Sequence, residues 1–351
     1  MQKWLAILLI AGTAGVRAQE PNAPGQKLYR IQEGYPVDAI QRLQSRTTTL
    51  QFRLGNAQAM VAQSVIKRVQ VWHPTEMPLK VAFLGGSNEL RTQIASTIRA
   101  WSANSGVSFD FGQPGAFHEW SRLDQTYQAQ IRISFDEAGY WSWVGAESID
   151  QSIAAPNQPS MNFGQFTEGL PDDWQGTVLH EFGHAIGFEH EHQSPAGDCD
   201  HEFRWDDDPG YVRTTDIYGQ FVPDGAGKRP GIYSVLEGPP NNWSKDQIDF
   251  NLKSLPATID LRFSVFDPAS IMMYSFADWM FVNGAQSSCY TKENLTLSAL
   301  DLKAAAETYP PEPSLGTVAQ QDVAAARKLL LQKKLPAEVK AHLQERLAAF
   351  Q

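Results

Sequence analysis

The residues best suited to do chemistry lie in one stretch, His180-Glu181-Phe182-Gly183-His184-Ala185-Ile186-Gly187-Phe188-Glu189-His190. Histidines four apart on a helix project both imidazoles from one face, as a shared metal ion requires. Gly187 has no Cβ, so it can take a positive φ at low cost and turn the chain back until His190 approaches the same point from another side. Three neutral imidazoles leave a fourth position open to water, which is the coordination of a catalytic zinc rather than a closed structural one. Glu181, beside the first histidine, is placed to take a proton from that water as it attacks a polarised carbonyl. Either histidine alone would read as an ordinary helix histidine. Ordinary composition would produce the whole pattern by chance in only about one chain in a hundred thousand of this length.

The stretch resembles the long motif of the metzincin zinc peptidases, His-Glu-x-x-His-x-x-Gly-x-x-His, and residues 180–190 match it at every defined position. A second segment, Asp267-Pro-Ala-Ser-Ile-Met-Met-Tyr274, looks like the turn that sets a methionine beneath the metal, and its Ser-Ile-Met-x-Tyr pattern is closest to the astacin branch. The resemblance implies one catalytic Zn(2+) held by His180, His184 and His190, Glu181 as general base, and Met272 under the metal. It also implies that Tyr274 is a switchable fifth ligand that swings to hydrogen-bond the oxyanion. Taken singly, Met272 and Tyr274 would read as core residues. Glu191 matches the astacin acid that is tied to a new amino terminus after activation. The following His192-Gln-Ser-Pro195 departs from the astacin pattern, as does Met273 in place of a histidine. Those departures make the chain similar to astacin-like peptidases of bacteria and fungi. The spacing of His192 does not fit the motif, so a supporting or loop role is expected for it.

In that family a protein or peptide substrate lies extended along an edge strand. The segment Ser160-Met161-Asn162-Phe163-Gly164 is expected to be that strand. Strand addition uses backbone hydrogen bonds that any peptide supplies, so cleavage broad in sequence is expected. Trp141 and Trp143 precede it and either line the cleft or belong to the core.

The elements needed to position these residues are legible in part. Leu79–Leu84 reads as a strand, and Ser87 caps a helix carrying Leu90, Ile94, Ile98 and Trp101 at helical spacing. Val107–Phe111 and Ile131–Phe135 alternate as half-buried strands do, and Ser160–Phe163 is a shorter third. Pro171-Asp-Asp-Trp174 offers a capping carboxylate to a helix that runs over Thr177–Ile186. The order predicts a twisted mixed sheet with helices packed on it, and the resemblance implies an α+β protein with the metzincin zincin fold. Its parts would be a twisted mixed, mainly parallel sheet, an active-site helix, a lower subdomain of long loops, and a C-terminal helical tail. The expected segments are a signal peptide over 1–18, a leader or pro-segment with little periodicity over 19–68, a catalytic domain over 69–310, and a helical hairpin over 311–351.

Lys3, the apolar run Leu5–Ile10 and Val16-Arg17-Ala18 fit a cleaved export signal, so a secreted chain is expected. Removing that segment takes away two cations and no acid, moving the formal charge from -10 to -12. Such acidity argues against nucleic acid as a partner, and no apolar run is long enough to span a membrane. A monomer is expected. Cys199 and Cys289 are expected to pair in an oxidising compartment. No cysteine precedes the catalytic region, and the Phe-x-Gly-Asp of astacin pro-segments is absent, with Phe52-Arg-Leu-Gly-Asn56 only a loose echo. Residues 19–68 are therefore expected to be removed or to pack away from the metal. The leading reading is a zinc metalloendopeptidase. The alternatives are a zinc-binding secreted protein without proteolysis, or a zinc hydrolase of a non-peptide amide.

Overall fold

A computed structural model describes residues 31, 33–255, 265–311 and 317–349; the segment read as a signal peptide lies outside them. The leader forms helices α1 (Val37–Leu54) and α2 (Asn56–Arg68). After them come β1 (Leu79–Phe83), α3 (Asn88–Thr97), the short α4 (Arg99–Ser102), β2 (Phe109–Asp110) and a small hairpin of β3 (Gly112–Gln113) and β4 (Ala116–Phe117). Strands β5 (Ile131–Ser134), β6 (Tyr140–Ser142) and β7 (Met161–Phe163) precede helix α5 (Trp174–Ala185). The rest is helix and loop: α6 (Cys199–Glu202), α7 (Ile232–Glu237), α8 (Lys245–Leu252), α9 (Ala299–Thr308), α10 (Thr317–Leu330) and α11 (Ala337–Ala349).

The main sheet has the order β2-β1-β5-β7-β6, with every pairing parallel except β6 against β7. Ser87 caps α3 as its side chain accepts from Leu90 N, and this helix crosses over to bring β2 parallel to β1, the connection a parallel pair demands. α3 and α5 pack on the sheet around Phe83, Ile94, Trp101, Phe163 and Phe182, all fully or almost fully buried. Burying each such side chain contributes roughly 1.5–3 kcal/mol. The mixed α+β architecture with a mainly parallel sheet and C-terminal helices is the expected one.

Two strand expectations are corrected. β5 is not half-buried: Arg132 and Ser134 are as inaccessible as the isoleucines between them, because a parallel strand inside a sheet is covered on both faces. The Arg132 guanidinium is satisfied by three carbonyls, donating to Gln158 O (2.8 Å), Ala129 O (3.1 Å) and Ser148 O (2.7 Å). The segment Ser160-Met161-Asn162-Phe163-Gly164 is not at the sheet edge, since β7 is paired on both sides, by β5 and β6. The edge strand beside α5 is β6, which carries Trp141. Trp141 and Trp143 are core residues, packed with Ala39 of α1 and with Ile153.

The leader is more regular than its polar composition suggests. Ile40, Leu43, Leu50 and Leu54 recur at helical spacing, diluted by Gln, Arg and Thr on the exposed face. α1 and α2 join α10 and α11 around Leu50, Ile66, Leu329, Val339 and Leu343, so the two ends of the chain share one apolar cluster. Arg346 of α11 fastens this unit to the body, donating to Val69 O, Val71 O and Glu76. Arg46 of α1 pairs with Glu147 (3.1 Å) and Asp150 (2.9 Å), and Lys67 of α2 with Glu189.

Below the sheet, loops and short helices pack around Phe203, Ile232, Leu252, Phe276 and Phe281. The Cys199–Cys289 disulfide is formed and spans 90 residues, tying α6 to the chain beyond the 267–274 turn. Replacing both cysteines by serine is expected to cost roughly 2–5 kcal/mol in denaturant unfolding. An unchanged unfolding midpoint would show that the bond does not hold this layer together. Among the described residues no helix is long and apolar enough to cross a membrane.

Candidate metal centre

His180 and His184 lie one turn apart on α5, whose interior is buried from Val178 to Ala185. At the helix end Gly187 takes φ 102°, the left-handed conformation that favours glycine. The last carbonyls of α5 are all accounted for. Gly187 N and Phe188 N donate to His184 O (2.7 Å) and Gly183 O (3.0 Å), Trp72 Nε1 to Ala185 O (2.8 Å), and the Tyr309 hydroxyl to Ile186 O (2.6 Å). The redirected chain then brings His190 back to the other two rings. Gly183 is required on the opposite face, because a Cβ there would overlap Met272 Sδ. Met272 thus packs closely against α5 at Gly183.

Each imidazole is oriented by its far nitrogen. His180 Nδ1 donates to Ile271 O (2.6 Å) and His184 Nδ1 to Phe188 O (2.7 Å). His190 Nδ1 donates to Gln193 Oε1 (2.9 Å), whose amide nitrogen is committed to Phe250 O and Lys253 O. Because these oxygens can only accept, each neutral ring turns a bare Nε2 lone pair toward one point. The Nε2 atoms stand 3.2 Å (His180 to His184) and 2.9 Å (His184 to His190) apart. Three lone pairs so close repel unless a cation lies among them. Ligands held tetrahedrally at zinc–nitrogen distances of about 2.0–2.1 Å would be spaced a little wider than this, so the donor set fits zinc. Backbone and amide partners on the far nitrogens are the usual support of metal-binding histidines.

Glu181 is completely buried and neither carboxylate oxygen has a hydrogen-bond partner among the described residues. Burial, with the Glu33 charge adding to it, holds its carboxyl well above the ordinary range; a bound dication would act in the opposite sense. Tyr274 packs its ring 4.3 Å from that of His190, and burial with the nearby Glu33 carboxylate holds its hydroxyl well above the ordinary range. His192 stays outside the group. Its Nε2 donates to Asn251 O (3.1 Å) and its ring lies against Tyr274, which is a supporting role.

The fourth member of the group is Glu33. Its Oε1 lies 2.7 Å from His180 Nε2, 2.8 Å from His190 Nε2 and 3.5 Å from His184 Nε2. Among the described residues, these four side chains form a group close enough to share one ion, with ligand atoms within 4.8 Å of one another. Burial alone would raise the Glu33 carboxyl; with no cation in the group a proton shared with the imidazoles, His180 first, pulls it well below the ordinary carboxylate range, and a metal ion among the neutral rings would take that proton's place. The strap that carries it is fixed along its length. Gly34 N donates to Tyr140 O of β6 (3.2 Å), Tyr35 N to Asn251 Oδ1 (3.1 Å), and Tyr35 stacks on Trp143. The leader therefore does not pack away from the metal group; residues 33–35 lie across it. Phe52 takes no part, standing exposed on α1.

Three further differences concern supporting residues. Asp173 occupies the N-cap position of α5 but makes no side-chain capping bond there. Glu191 accepts from Asp267 N (2.8 Å), and burial pushes its carboxyl up to about 7. Asp301 of α9, not singled out from the sequence, holds the 267–274 turn by accepting from the Ser270 hydroxyl (2.6 Å) and Ile271 N (2.8 Å). Its signal was the Ser298-x-x-Asp301 capping box, which the helix uses as well.

No family model matches the chain, and no curated protein matches it. Among solved structures it is similar to myroilysin, at 28% identity and a TM-score of 0.49, over 66% of this chain and 92% of that one. A crystal structure of myroilysin also aligns at 24% identity and a TM-score of 0.40, over 66% of this chain and 82% of that one. High choriolytic enzyme 1, a hatching-enzyme zinc-protease of the medaka fish Oryzias latipes, aligns at 14% identity and a TM-score of 0.37, over 65% of this chain and 86% of that one.

Proposed function

We propose that the chain is a secreted zinc metalloendopeptidase of the astacin-like metzincin type, present here in a latent form. The observation that carries the reading is the convergence of three Nε2 lone pairs beside a buried glutamate whose oxygens have no partner. That arrangement suits a base waiting for water and a metal; a site kept only for structure has no use for an unpaired buried acid. Zinc held by His180, His184 and His190 supplies Lewis acidity toward a water and a peptide carbonyl. Glu181 accepts the proton from the attacking water and passes it to the leaving amine. The Tyr274 hydroxyl donates to the carbonyl oxygen as negative charge builds on it. Substrate adds along β6, the free edge beside α5, through backbone hydrogen bonds.

In the form described, the strap of residues 33–35 uses that edge and Glu33 takes the position a water needs, so activation requires its displacement. Secretion is supported by the signal-like residues 1–18 and by the disulfide. The test is the appearance of new amino termini in an unfolded protein incubated with the activated chain, and their suppression by a zinc chelator. Products equal in amount with and without chelator would overturn the zinc-peptidase reading.

A further inference from the structure

Beside His180 a cavity of about 240 Å³ opens between the first turn of α5, the chain descending from Tyr274 to Phe276, and the segment Glu293–Asn294. The α5 wall is tight, since a Cβ at Gly176 would come within 2.9 Å of Asn294 O. Besides Glu33 and His180 of the metal group, the ionisable acids lining the cavity are Asp173 and Glu293, and no lysine or arginine lines it. Asp173 could have capped α5 and does not. Its Oδ1 is buried without a partner, and its carboxyl is hydrogen-bonded instead to that of Glu293. Partial burial and this second carboxyl push Glu293 up to about 7, the response of an acid pair with no cation between them. A second polar group faces the same space: the hydroxyl of Tyr274, a residue only 6% exposed, meets the Glu33 carboxylate in the strapped form and is released when that carboxylate leaves. The chain's own strap shows that a peptide reaches this cavity, for Ile31, two residues before Glu33, forms part of its lining.

We infer that Asp173 and Glu293 form a specificity pocket for a basic side chain, lysine or arginine, on a residue beside the bond that is cut. The inference rests on the peptidase reading and adds to it the class of substrate. An ammonium or guanidinium entering the cavity would satisfy both carboxyls at once, and charge-assisted hydrogen bonds of this kind are the strong ones. A neutral side chain of equal length would leave the acid pair unpaired, which is how a polar pocket rejects the wrong substrate.

The test uses the full chain carrying Glu33→Ala, with peptides identical except for Lys, Arg or norleucine at each position flanking the cut. One position within two residues of the cut should show a Lys-to-norleucine ratio of kcat/KM of at least about tenfold, the discrimination one charge-assisted hydrogen bond gives. Glu293→Gln and Asp173→Asn should each lower that ratio. Glu293 stands at the exposed rim, so its variant tests the pocket even where Asp173→Asn fails to fold. No basic preference at any position, or an undiminished ratio in both variants, overturns the inference. If the parent cuts no peptide, the peptidase reading fails separately. Calorimetric binding to the Glu33→Ala/Glu181→Gln chain then decides the pocket: lysine peptide bound over norleucine peptide and lost with Glu293→Gln supports it, and equal binding overturns it.

Discussion

Glu181→Gln in an otherwise activated chain is expected to lower kcat/KM for peptide hydrolysis by roughly 10²–10⁴-fold, the range a positioned general base supplies. Glutamine has nearly the same shape, so the completely buried site should still close around it, but the amide cannot take a proton from water. The three histidines are held by Ile271 O, Phe188 O and Gln193, none of which hydrogen-bonds the substituted carboxylate. Zinc content should therefore remain at the wild-type level. The measurement is steady-state hydrolysis paired with metal analysis of the same preparation. A variant that keeps its zinc and more than about a tenth of its activity would remove Glu181 from the base's role, since general-base loss costs at least about a hundredfold.

Glu33→Ala is expected to have the opposite sign. The Glu33 carboxylate meets all three Nε2 atoms at 2.7–3.5 Å and is the strap's polar contact with the metal group. Hydrogen bonds to charged groups contribute about 1.5–3 kcal/mol each. Losing one such contact would shift the strap's equilibrium toward release by roughly 10–100-fold, and activity of the full-length chain should rise in proportion. Gly34 and Tyr35 still hold the strap to β6 and Asn251, so the variant should remain below a chain cut between the strap and α1. The comparison is the initial rate of wild type, Glu33→Ala and the cut chain on one peptide. Equal rates in wild type and Glu33→Ala would mean that Glu33 does not control access.

The three-histidine group was legible because its geometry is local. Four residues set two imidazoles on one helical face, and one glycine decides where the third histidine goes. Met272 and Tyr274 were legible only through likeness of the 267–274 segment to a known turn. Glu33 was not legible, because nothing in residues 31–36 marks a ligand. Its place follows from contacts of the strap with Tyr140, Trp143 and Asn251, all distant in sequence. The edge strand was misassigned for a related reason. β6 is three residues long, too short for alternation to show, and the order of β6 and β7 in a sheet is a tertiary fact. Asp173 illustrates the limit of capping rules: the residue type was right for a cap, but a neighbouring carboxyl 120 residues away engages the side chain instead. Arg132 defeated the alternation rule because three carbonyls supply what solvent would have supplied.

The zinc dependence of the site is tested most directly by a titration. Chain carrying Glu33→Ala is stripped of metal, zinc is added in known ratio, and cleavage of an unfolded protein is followed at each step. A single catalytic ion held by His180, His184 and His190 predicts no cleavage in the stripped protein and a rise that reaches its plateau at one zinc per chain. Full cleavage by the stripped protein, or none at any ratio while zinc is demonstrably bound, would contradict it.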